Sequence, residues 1–166
     1  MTKIAKPGAE PVAKPAPLEQ FELETTLPYL LNRAGVQIGA SFSAAIEVLG
    51  LSLSEWRVLA ALVHRNGQTM SELAAHTSLE LSRVSRLVSA AEQRGWINRV
   101  ASATDGRAVR AELTEVGRAL VAQAVPTAQL YERVALSGMT GADAVLLKRL
   151  LVRVYENIAE LPVKLS

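Results

Sequence analysis

The chain has 166 residues, with 18 lysines and arginines against 16 acidic residues, a net charge of +2 and no cysteine. That length suits one domain, or a domain with an attached dimerisation element, and the missing cysteine excludes disulfides, thiolate metal sites and thiol redox sensing. Charge-free runs such as 34–46 stop at thirteen residues, short of the ~18–20 that a spanning helix needs, and the start lacks the apolar core of a secretory signal, so the expectation is a cytoplasmic protein without a membrane segment.

Residues 1–18 hold four of the seven prolines and three of the five lysines. This predicts a disordered, mildly basic tail over 1–20, either idle or brushing phosphates or a partner subunit. From Thr26 a helix is expected: Pro28 suits a first turn, and Leu27, Leu30, Leu31, Ala34, Ile38, Phe42, Ala45, Ile46 and Leu49 follow helical spacing to Gly50. Gly35 and Gly39 weaken that helix and leave room for a neighbouring helix or a ligand.

Ser52 and Glu55 have the spacing of a capping box, and Leu51 with Trp56 that of a hydrophobic staple, opening a helix that runs through His64 to a stop at Asn66-Gly67. Thr69 and Glu72 repeat the box ahead of the short helix "MSELAAH". After the break "TSLE", a helix over 81–94 ends at Gly95, where a left-handed residue is wanted. The period then changes to that of strands: "WINRV" and "AVRAEL" flank "ASATDGR", with Val109, Ala111 and Leu113 turned inward and Arg110 and Glu112 outward. Thr114 restarts a helix toward Leu136, in which Pro126 predicts a kink, and a last amphipathic helix carries Leu147, Leu150, Leu151, Val154 and Ile158. The fold class is therefore mainly α with one small β-hairpin.

Charge is segregated along this order. Between Ser82 and Arg110 stand six arginines (83, 86, 94, 99, 107 and 110) against Glu92 and Asp105, a local +4 that leaves the rest of the chain at −2. The helix over 81–94 puts Leu81, Val84, Leu87, Val88 and Ala91 on one face and Ser82, Ser85, Arg86, Ser89 and Gln93 on the other, with Arg83 beside them. Small hydroxyls keep a helix slim enough for a DNA groove, and an arginine fork can grip guanine O6 and N7. A short helix and a tight break precede it, as a helix-turn-helix requires. In the hairpin, Asp105-Gly106 supplies the turn and Arg107 the charge for a minor groove, while Asp105, repelled by phosphate, orients an arginine. Arg110 either reaches DNA or pairs with Glu112 or Glu115; Arg94 and Arg99 are either phosphate anchors or structural pairs.

The string "SRVSRLVSAAEQRGWINRVASATDGRAVRAELTEVGRAL" resembles the MarR family of winged helix-turn-helix transcription regulators, whose Asp-x-Arg and Leu-Thr wing pattern recurs as Asp105, Arg107, Leu113 and Thr114. The resemblance covers about 27–161. It implies a helical dimerisation region over 21–50 and 115–163, a winged helix-turn-helix lobe over 51–114, and a homodimer on an inverted repeat of double-stranded DNA, acting as a repressor. Ser82, Arg83, Ser85 and Arg86 fall where members contact DNA, joined here by Ser89 and by Arg107 and Arg110 of the wing. It also implies release by a small phenolic or aromatic acid, with Arg33, Gln37, His64 and Arg65 as orienting groups and Tyr29 and Trp56 as stacking surfaces. The plainer readings stand beside these: Trp56 as staple, Arg33 on a solvated face, and Arg65 and His64 as partners of a helix dipole.

No catalytic constellation, metal set or cofactor loop is expected. The chain has two histidines on different predicted helices and two aspartates, with no Gly-rich phosphate loop and no serine elbow; His76, in the break before the 81–94 helix, suits capping. The alternative function is a winged helix that docks a protein without ligand response, which calls for aromatic or apolar anchors on the serine-arginine face.

Overall fold

Local capping chemistry sets the helix starts. In the computed structural model, which describes residues 18, 21–101 and 109–159, both expected capping boxes are closed. The Ser52 hydroxyl accepts from Glu55 N at 3.2 Å while Glu55 accepts from Ser52 N at 2.8 Å. Thr69 and Glu72 do the same at 3.3 and 2.8 Å. These caps begin α2 (Leu53–His64) and α3 (Met70–Thr77). Thr114 caps α5 (Glu115–Ala135) by accepting from Gly117 N at 3.0 Å, and Thr140 with Asp143 opens α6 (Gly141–Ala159).

The chain divides into two compact units, residues 1–37 and 38–166. The described part of the first holds a 3-10 turn, Leu23–Thr25, and the beginning of α1 (Leu27–Ile46). There the Thr25 and Thr26 hydroxyls donate to the carbonyls of Glu22 and Leu23, and Leu23, Leu27, Leu30 and Val36 are exposed.

The second unit takes the rest of α1, a 3-10 turn over Glu47–Leu49, and everything beyond. Its core gathers Phe42 and Ile46 of α1, Val58, Leu59 and Leu62 of α2, and Leu73 of α3. Val84 and Val88 of α4 (Leu81–Gln93) and Val121 of α5 join them. Phe42 meets Trp56 and Tyr131 edge to face, at centroid distances of 5.4 and 5.7 Å. Ser78, in the left-handed region at φ 54°, makes the turn between α3 and α4, and Gly95 at φ 71° ends α4 as expected.

Three antiparallel strands follow the order β1-β3-β2, with β1 (Gln68–Thr69), β2 (Ile97–Ala101) and β3 (Val109–Leu113). Gln68 pairs with Ala111, and Ile97 with Leu113. The two-residue β1 is too short to show a period and was not expected. Two inward assignments are corrected. Val109 is 47% exposed, because it pairs with Ala101 at the far end of the ladder from the buried Ile97–Leu113 rung. Leu81 is 49% exposed, since Leu79, two residues earlier, takes the place against the core.

Helix α5 continues through the exposed Pro126 as one element. Helix α6 buries none of its residues, and Leu150, Leu151, Tyr155 and Ile158 are all exposed. Among the described residues no single helix is long and apolar enough to cross a membrane.

Candidate nucleic-acid interface

Helix α4 is anchored by Val84, Val88 and Ala91, which forces the opposite face outward. Ser82, Arg83 and Arg86 are exposed on it, and Ser85 and Ser89 are half-buried. The serine hydroxyls bond back to the helix, Ser85 to Leu81 O at 3.0 Å and Ser89 to Ser85 O at 2.9 Å, which keeps the surface slim. Arg83 donates to Ser54 Oγ at 2.8 Å, at the start of α2. Arg86 uses only its Nε, on Ser82 O at 3.4 Å, so its two terminal nitrogens have no partner among the described residues.

Arg99 of β2 lies alongside. It donates to Ser85 O at 3.3 Å and to Ser89 Oγ, and pairs with Glu92 at 3.4 Å. Ser85, Arg86, Ser89, Ala90, Gln93 and Arg99 together line an open recess of about 360 Å³. The two readings open for Arg94 narrow here: it pairs with Glu55 at 3.2 Å, donates to Gly50 O and covers the Trp96 ring at 4.7 Å, which makes it a structural clamp.

Arg110 donates to Gly67 O at 2.6 Å and lies 3.9 Å from Glu72, an ion-pair partner that its spacing to Glu112 and Glu115 does not suggest. The antiparallel register explains it, because Arg110 stands opposite Thr69, three residues before Glu72. Glu72 also pairs with Arg65 at 3.0 Å. The Thr69 backbone N–H and hydroxyl, with Arg65 and Arg110 behind them, hold the Glu72 carboxyl below its ordinary range. Asp105 and Arg107 lie outside the described residues.

The residues expected to orient an acid belong to both units. In the first unit, Arg33 donates to the Tyr29 hydroxyl at 3.1 Å and lies over its ring at 5.9 Å; Gln37 stands one turn further on. In the second, Trp56 and His64 come together in an open recess of about 430 Å³, lined also by Arg57, Ala60, Ala61, His76 and Thr77. Arg65 does not line it and is committed to Glu72. His76 is in the last turn of α3, not in the break after it, and its ring meets that of His64 edge to face at 6.5 Å. Spacing had no means of joining His64 to His76, twelve residues apart on separate helices. Among the described residues no group of three or more metal-ligating side chains occurs.

The sequence profile of the MarR family matches residues 49–108. The HTH-type transcriptional repressor Rv2887 of Mycobacterium tuberculosis is 33% identical over 128 residues, which are 77% of this chain and 92% of that protein. A MarR-family transcriptional regulator from Silicibacter pomeroyi superposes with a TM-score of 0.76 at 25% identity, over 91% of this chain and all of that one. The crystal structure of Rv2887 in complex with salicylic acid gives a TM-score of 0.64 at 32% identity, over 78% of this chain and 96% of that one.

Proposed function

This chain belongs to the MarR family of winged helix-turn-helix transcriptional regulators, proteins that are not enzymes, and on that premise we propose that it represses transcription in the cytoplasm as a homodimer on an inverted repeat. The observation that carries this reading is the α4 surface, where Ser82, Arg83 and Arg86 are exposed over a helix pinned from behind by Val84 and Val88. In it, residues 51–114 read DNA. Helix α4 enters the major groove, with Ser85, Ser89 and Arg99 along the backbone side, and Arg107 at the tip of the wing, oriented by Asp105, reaches the minor groove. Arg110 braces the wing base from its contact with Gly67.

Residues 21–50 and 115–163 pair the two copies. The exposed apolar residues of α6, with Leu130 and Val134 of α5, support this, since a lone chain would leave them in water. Twofold pairing presents two α4 helices to half-sites about 10–10.5 base pairs apart, centre to centre.

A small aromatic acid releases the protein in this reading. A relative 32% identical is solved with salicylic acid bound, and this chain carries an aromatic and basic recess at Trp56 and His64. Tyr29, Arg33, Gln37 and Arg65 remain candidate contacts.

The rival, a protein-docking module, needs apolar anchors beside the arginines. Leu81 is the one large apolar side chain exposed on α4. Selection from random duplexes, with and without a panel of aromatic carboxylates, tests the proposal. A twofold-symmetric site from which one acid displaces the protein is expected. Failure to enrich any duplex overturns it.

A further inference from the structure

The recess between α2 and α3 contains a proton whose position is determined by a buried amide. Gln68 is fully buried. Its side-chain nitrogen donates to Ala61 O at 2.7 Å and to Arg65 O at 2.6 Å. Backbone carbonyls only accept, so this end of the amide must be the NH2 group, and both of its protons are used. The Oε1 end therefore faces His76 Nδ1, 2.5 Å away, and Nδ1 must carry the proton. In the neutral ring that leaves Nε2 bare, an acceptor with no partner among the described residues.

His76 lines the recess with Trp56, Ala60, Ala61 and His64. The two alanines leave space beside the Trp56 ring, and Arg57 stands on the same helix with no ion pair among the described residues. At about 430 Å³ the space is within the roughly 300–1,000 Å³ of small-molecule sites. We propose that this recess is an effector subsite in which His76, locked by Gln68 with its proton on Nδ1, selects aromatic acids that carry an O–H or N–H donor. The inference rests on the effector reading above and adds its selection rule. A ring lies against Trp56, its carboxylate meets Arg57, and its donor is received by Nε2. A ligand that offers only an acceptor or a methyl group there leaves Nε2 desolvated and unpaired.

The test uses the full chain at pH 8. Long-range nitrogen–proton correlation spectra of the free protein are expected to show His76 protonated at Nδ1 and bare at Nε2. Calorimetric titration then compares the three monohydroxybenzoates with their O-methyl ethers. At least one hydroxybenzoate is expected to bind about tenfold more tightly than its ether, and His76→Phe, an exposed position, to erase that preference. A proton on Nε2, or equal binding of acid and ether, overturns the inference while leaving an effector site standing. Binding of none of the acids overturns the hydroxybenzoate effector together with the selection rule.

Discussion

Gly117 packs against the Trp96 carbonyl so closely that a β-carbon built on it would lie 2.1 Å from the oxygen. The same oxygen accepts from Thr114 N at 3.1 Å, while the Thr114 hydroxyl donates to Gly95 O at 2.7 Å and caps α5. One joint thus ties the end of α4 to the start of α5. The obstruction is backbone, so it has no side-chain escape. Gly117→Ala is expected to destabilise the fold by about 2 kcal/mol or more, measured by urea denaturation, the upper part of the range for overpacking a core. An unchanged midpoint would show that the joint yields freely.

Two arginines eight residues apart, Arg86 in α4 and Arg94 at its C-cap, should separate by assay. Arg86→Ala is expected to leave the melting temperature nearly unchanged and to cost about 1–3 kcal/mol of binding at one base pair. Arg94→Ala unpairs Glu55 and uncovers Trp96, so its effect is expected in stability, about 1 kcal/mol. If Arg86→Ala keeps full affinity for every base at every position, α4 does not read the groove as described.

Arg107→Ala is expected to weaken binding to all duplexes alike, or to relax preference in AT-rich flanks, and to lower the slope of log affinity against log salt by about 1 per protomer. The wild-type protein, if it binds as the proposed dimer with roughly 6–10 phosphate contacts, should lose about 10³–10⁵ in affinity between 50 and 200 mM salt. A flat salt dependence would favour the protein-docking rival.

Glu72 gives stability a dependence on pH. Its carboxyl titrates below its ordinary value in the folded chain, so the stabilisation is present above the unfolded value and is lost as pH falls through the folded one. Glu72→Gln preserves the capping geometry and removes the charge. The wild type is expected to melt higher than this variant at pH 7, with the gap shrinking below about pH 4.5 and vanishing in stronger acid. A gap independent of pH would place the effect in packing.

Leu151, Tyr155 and Ile158 follow one face of α6 and are exposed in the single chain. Wild-type protein is expected to sediment as a dimer, and Leu151→Glu with Ile158→Glu to shift it toward monomer and abolish high-affinity binding to the proposed two-half-site operator. A monomeric wild type at micromolar concentration would remove the twofold reading.

Local features are legible in the sequence. The boxes at Ser52–Glu55 and Thr69–Glu72, the stop at Gly95 and the two strands of the wing each depend on residues within a few positions of one another. The outward face of α4 is also readable, because Val84 and Val88 leave it no other orientation. The misplaced residues are those whose surroundings are non-local. Leu81 fits the apolar period, but the turn at Ser78 lets Leu79 take the core position. Val109 alternates correctly and still ends up where the ladder leaves the core.

The order of helices and the wing strands, the helix caps and the segregation of arginine into 82–110 were written in the chain itself, because capping, periodicity and net charge need only neighbours. Which carboxylates Arg94 and Arg110 meet, and which nitrogen of His76 bears its proton, were decided by the tertiary structure alone. Each depends on a partner brought close by the fold, Glu55 for Arg94, Glu72 for Arg110 and Gln68 for His76, and no spacing along the chain specifies that distance.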